Sequence, residues 1–62
     1  MKIQFSTSNA MFCDPNTGNP TRLSVSVAAA DIIREIANEL EQGYTERTIL
    51  DVNGNVIGSW EL

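Results

Sequence analysis

Residues 45 to 62 read TERTILDVNGNVIGSWEL, two β-branched and aromatic runs on either side of Asn53-Gly54. An Asn-Gly pair in that setting is the strongest short-range hairpin signal a sequence offers. Two registers compete. In a three-residue loop Asp51 accepts a backbone N–H, Asn53 takes the third position of a type I turn, and Gly54 adopts positive φ as a G1 bulge. That form sets Asp51 opposite Asn55 and Ile49 opposite Ile57. A two-residue type I′ turn would pair Leu50 with Ile57, sliding one strand by a residue. The three-residue form is preferred because it gives Asp51 a hydrogen-bonding role. Gly58 is a candidate second bulge, since Ile57, Trp60 and Leu62 cannot share a face under strict alternation. The same run starts like a calcium loop, with oxygen-bearing Asp51, Asn53 and Asn55, but Val56 and Leu62 stand where an EF-hand requires glycine and glutamate.

Upstream, AAADIIREIANELEQ changes the apolar period to that of a helix. Ala29, Ile32, Ile33, Ile36, Ala37 and Leu40 form its expected buried face. Gly43 is placed to close it in the left-handed conformation, with Tyr44 folding back onto the last apolar turn. Its start is ambiguous, because Leu23, Val25 and Val27 alternate with Ser24 and Ser26 as in a strand; either serine can supply the N-cap oxygen. At the amino end Met1, Ile3 and Phe5 alternate with Lys2 and Gln4, a half-buried strand. CDPNTGNP, residues 13 to 20, is turn-forming throughout. The fold class follows as α+β: β-α-β-β, a three-stranded antiparallel sheet with one helix packed on one face.

At 62 residues the sequence suits a single small domain over 1–62, and a domain of that size buries only about 60% of its unfolded surface. Cys13 is the single cysteine and histidine is absent. An internal disulfide and the usual zinc spacings are excluded, which leaves regular packing or a homodimer as reinforcement. The formal net charge of -4, with Lys2, Arg22, Arg34 and Arg47 scattered, argues against direct nucleic-acid binding. No apolar run reaches the ~18 residues of a membrane span, and MKIQFSTS lacks the apolar core of a signal peptide. The expectation is a soluble, intracellular protein.

Without histidine or a suitable lysine no ordinary nucleophile-base pair assembles, so a non-enzymatic role without metal or cofactor is expected. Cys13 has no cationic neighbour in sequence and reads as an ordinary thiol. Asp31, Glu35 and Glu39 recur every four residues as one acidic row on the exposed side of the helix, a solvated face or a docking surface for a basic partner. Trp60, near the sheet edge, is core or contact, with Tyr44 and Phe12 joining it if an aromatic patch exists.

Asn9 to Phe12 (Asn-Ala-x-Phe), Gly43-Tyr44-Thr45, and Asp51-x-Asn-Gly-Asn-x-x-Gly before Trp60 together resemble a group of small, largely uncharacterised bacteriophage and prophage proteins. The likeness spans both ends of the chain but not the loop and Leu23 to Val27. It implies a viral setting in the host cytoplasm, where a host protein or protein complex is the expected partner. The leading expectation is a protein-binding inhibitor of a host defence complex, anti-CRISPR-like, acting by surface occlusion. Its contact is either the acidic helix face (Asp31, Glu35, Glu39) or the sheet edge with Trp60. The alternatives are a small structural or accessory protein whose apolar sheet face is buried in a homodimer, and a protein sequestering a small ligand at such an interface.

Overall fold

The computed structural model describes residues 1–8 and 10–62. The chain runs through β1 (Lys2–Phe5), a 3₁₀ turn (Ala10–Phe12), α1 (Arg22–Glu41), β2 (Glu46–Leu50) and β3 (Val56–Glu61). The strands form one antiparallel sheet in the order β1-β3-β2, and with the single helix they make the expected α+β fold. The strand order corrects one expectation: β3 is central, so Trp60 is not at a sheet edge. Asn9, the first residue of the Asn-Ala-x-Phe motif, lies outside the described residues.

Pairing of Ile3 with Trp60, and of Phe5 and Ile49 with Gly58, puts Ile3, Phe5, Ile49 and Trp60 on one face. That face meets the helix. Phe12, Ala28, Ile32, Ile36, Ile49 and Trp60 are the buried core, with Ile3, Phe5, Met11, Val25, Leu40 and Ile57 packed around them. The rings of Phe5 and Phe12 stack with centroids 6.0 Å apart. Phe12 and Trp60 are the most completely enclosed side chains, and truncating either to alanine should cost about 3–5 kcal/mol.

The helix begins earlier than its apolar period suggests. Its N-cap is Thr21, with φ -119° and ψ 163°, and neither Ser24 nor Ser26. Thr21 Oγ1 accepts the Ser24 N–H over 3.0 Å, and Ser24 Oγ accepts the Thr21 N–H over 2.9 Å. This reciprocal capping box satisfies two donors that a helix start would leave free. Ser24 Oγ also donates to the Phe12 carbonyl over 2.7 Å, tying the helix start to the 3₁₀ turn. Ser26 Oγ donates to the Arg22 carbonyl over 2.7 Å, as a serine inside a helix does.

The buried stripe is narrower than expected and is turned toward Ala28. Ala28, Ile32 and Ile36 are buried, Val25, Ala29 and Leu40 are half-buried, and Ile33 and Ala37, expected inside, are exposed. A three-stranded sheet covers only one narrow row of the helix, and Ile33 and Ala37 fall beside it. At the other end Gly43, at φ +97°, donates to the Leu40 carbonyl over 3.0 Å, and the Tyr44 N–H bonds the Glu39 carbonyl over 3.1 Å. These are the paired bonds of a Schellman C-cap.

The hairpin takes the three-residue loop. Asp51 N–H bonds the Asn55 carbonyl over 2.9 Å, Gly54 N–H bonds the Asp51 carbonyl over 3.1 Å, and Gly54 has φ +83°. Asp51 faces Asn55 as expected, but Ile49 pairs with Gly58 and not with Ile57. Leu50 pairs with Val56, so β3 carries one extra residue between these pairs, Ile57. That bulge lets Ile57 and Trp60 both reach the core despite their odd spacing.

Candidate functional site

Two of the candidate residues meet inside the molecule. Trp60 Nε1 donates to Glu39 Oε1 over 3.0 Å, and Arg47 Nε lies 3.3 Å from Glu39 Oε2. The Arg47 guanidinium stands 4.4 Å from the centroid of the Tyr44 ring. One carboxylate thus joins the last turn of α1 to β2 and β3, and the Schellman turn delivers Tyr44 to the outer side of the same cation. The Glu39 side chain is only 13% exposed, so its charge is largely removed from water and must be matched locally.

The acidic row therefore does not persist as a surface. Glu39 belongs to the core edge. Asp31 bonds Arg34 over 2.9 Å, and both are well exposed. Glu35, between Asp31 and Glu39 in the row, is exposed. A sequence signal for Glu39 existed: it lies seven residues after Ile32 and three after Ile36, on the same helical stripe. Trp60 is 2% exposed, which assigns it to the core, while Tyr44 is 44% exposed and remains a surface residue.

The Asp51 carboxylate is committed to the turn. Oδ1 accepts the N–H groups of Asn53 and Asn55 over 2.8 and 2.9 Å, and Oδ2 accepts Asn55 Nδ2 over 3.2 Å. Asp51 is buried, and each of these bonds shapes the turn. Among the described residues no group of three or more Cys, Asp or Glu side chains is gathered as metal ligands.

Away from the helix the sheet presents Lys2, Gln4, Glu46, Thr48, Ser59 and Glu61, with the exposed Leu50–Val56 pair at its turn end. The expectation of an apolar sheet face available to a second copy is corrected here: most of the open face is hydrophilic. The apolar face is the one α1 covers, and on the open face alternation places polar residues at every pair except Leu50–Val56.

Exposed apolar side chains gather elsewhere. A groove of about 540 Å³ lies between the first turns of α1, the 13–20 loop and the hairpin tip, with Met11, Leu23, Val27 and Val52 in its wall and Asp14 and Asp31 beside them. The loop wall is held by its own bonds: Gly18 N–H to the Asp14 carbonyl over 2.7 Å and Asn16 N–H to Asp14 Oδ1 over 2.8 Å. A second groove, of about 330 Å³, runs between α1 and β2. Sequence reasoning missed both, since each is made by segments far apart in the chain.

Among the described residues no helix is long and apolar enough to cross a membrane. No protein-family model, no curated protein and no solved structure matches the chain.

Proposed function

We propose that this chain acts by binding protein, as a phage-encoded inhibitor that occludes a surface of a host defence complex; an anti-CRISPR role is its most concrete form. The observation that supports protein binding is the groove at the start of α1. Leu23, Val27 and Val52 line it while remaining 74%, 53% and 82% exposed. Clustered apolar side chains rimmed by polar groups are the usual mark of a contact surface. The titratable side chains Glu39, Arg47 and Asp51 are meanwhile spent on holding the fold together. The viral setting rests on the sequence resemblance at Asn9 to Phe12, Gly43 to Thr45 and the hairpin.

The test is plating of a targeted phage on hosts that carry a defence system and express the chain, paired with capture of host proteins on the immobilised chain and mass spectrometry. Rescue of plating, lost in Leu23→Asp and Val52→Asp variants that still fold, is the expected result. Retention of a defence component by the parent and not by the variants identifies the complex. Unchanged plating on every defended host overturns the defence role, and the absence of any retained protein overturns the binding role.

A further inference from the structure

We infer that the outer edge of β2 is a strand-addition site, which takes an extended segment of a partner protein bearing an apolar side chain and, two residues along, a lysine or arginine. This goes beyond the preceding reading, because it names a second surface that shares no lining residue with the Leu23 groove.

The backbone specifies the shape of the occupant. Leu62 N–H bonds the Thr45 carbonyl over 2.8 Å, and the pairing continues through Arg47 with Trp60 and Ile49 with Gly58. Hydrogen-bonded pairs alternate with non-bonded ones in an antiparallel ladder. Arg47 and Ile49 therefore turn their backbone groups toward β3, while Glu46 and Thr48 turn theirs outward. Because β3 is the central strand, nothing in the sheet lies beyond that edge. Outward N–H and C=O groups are a template for another strand. A helix cannot satisfy them, since its own backbone groups are internally paired.

The groove beside the edge specifies the side chains. Ile32 and Ile36 of α1 and Ile49 and Leu50 of β2 line it, so an apolar side chain from an added strand enters between helix and sheet. An edge strand flanked by a groove is how extended peptides are captured: main-chain bonds supply affinity and the groove selects alternate side chains. Glu35 also lines the groove and is exposed with no ion pair among the described residues, whereas Glu39 and Arg47 neutralise one another. The uncompensated charge is therefore negative, and it selects a cationic side chain two residues from the apolar one, on the same face of the added strand. A second copy is disfavoured by the same charge. Two β2 edges paired about Thr48 would set two α1 helices across the groove with Glu35 facing its own copy.

The test uses an array of nine-residue peptides in which one face of the strand alternates valine with lysine, threonine or glutamate and every residue of the other face is threonine, with hydrogen exchange as the structural readout. Lysine-containing peptides should bind, and exchange should slow at the Glu46 and Thr48 amides. Thr48→Pro, which removes an outward N–H and no ladder bond, should abolish binding. Glu35→Lys should weaken it roughly fivefold, the effect of an exposed charge contact; this variant serves if the proline variant fails to fold. Leu23→Asp should leave array binding unchanged, which separates this site from the groove at the start of α1. No peptide binding, equal binding of glutamate peptides, or protection away from β2 overturns the inference. Protection of Thr48 in a dimer of the free chain gives the edge to a second copy and overturns it as well.

Discussion

Trp60 on the central strand donates its indole N–H to Glu39 on the last helical turn over 3.0 Å, and this bond fixes where the end of α1 sits on the sheet. The bond resolves two problems at once. A buried indole needs an acceptor, and a carboxylate that is only 13% exposed needs donors. Arg47 completes the set from β2 and holds the strand next to the helix terminus it follows in sequence.

Glu39→Ala should therefore destabilise the fold by about 2–3 kcal/mol, since it removes a charge-assisted bond and leaves the indole N–H unpaired. Glu39→Gln keeps an acceptor for Trp60 and loses only the pairing with Arg47, which is 46% exposed and hence weak; its cost should stay under about 1 kcal/mol. Urea unfolding at constant slope reads both values. Equal losses in the two variants would show that the ion pair, and not the indole bond, dominates.

Asp51 holds the hairpin tip through the Asn53 and Asn55 N–H groups. Asp51→Ala strips both of their acceptor and should cost about 2–3 kcal/mol. Asn is the gentler replacement, because its amide oxygen retains the bonds made by Oδ1. Thermal unfolding ranks the pair, and amide exchange at Asn53 and Asn55 should rise only in the alanine variant. Slow exchange at both positions in Asp51→Ala would contradict the assignment.

Gly58 and Gly54 illustrate two different needs for glycine. A Cβ on Gly58 would fall 2.7 Å from Phe5 Cβ and against the backbone of β1, where Phe5 crosses it as its paired residue. Gly54 has open space around it and needs only its φ of +83°. Gly54→Ala should cost about 1–2 kcal/mol for the left-handed backbone, while Gly58→Ala should cost about 3 kcal/mol or more through displacement of β1. Calorimetric midpoints test the order. A milder effect at Gly58 than at Gly54 would mean that β1 moves aside freely.

What the sequence made legible was local. The Schellman close at Gly43 and the three-residue loop at Asp51–Asn55 each depend on a few neighbouring residues, and both were readable from residue type alone. The position of β3 was not, because β2 and β3 carry similar β-branched patterns and only the distant β1 decides which of them it joins. The helix start was hidden for a different reason. Leu23, Val25 and Val27 alternate as in a strand, and the cap at Thr21 uses serine where a capping box more often has glutamate. Glu39 is hidden by its charge, since three carboxylates at equal spacing suggest one solvated face. The helical angle from Ile32 and Ile36 placed one of them inside.

That cap carries more than the helix. Thr21→Ala removes one N-cap acceptor and should cost about 1 kcal/mol. Ser24→Ala removes the reciprocal acceptor and also the 2.7 Å bond to the Phe12 carbonyl, so its cost should reach about 2 kcal/mol. Since the two side chains bond each other over 3.1 Å, the double variant should lose at least ~0.5 kcal/mol less than the sum. Strict additivity in denaturant titrations would show that the two halves of the box act independently.

Charge reversal separates the two carboxylates that the spacing of the acidic row treated alike. Glu35 is exposed and four residues from both Asp31 and Glu39, so Glu35→Lys replaces two like-charge neighbours with attractive ones and should stabilise the helix by a few tenths of a kcal/mol, on the order of 0.3 for each pair. Glu39→Lys sets an ammonium against the Trp60 N–H and the Arg47 guanidinium, leaving three donors with no acceptor among them. An unpaired cation in place of a carboxylate that is only 13% exposed should cost about 3 kcal/mol or more, a large part of what a domain this small can hold in reserve. Far-UV circular dichroism on heating should show the Glu35 variant melting at or slightly above the parent and the Glu39 variant substantially unfolded at room temperature. Loss of binding in Glu35→Lys then reports on a contact, while loss in Glu39→Lys reports on the fold. A folded Glu39→Lys protein would require the helix end to sit on the sheet without the indole bond.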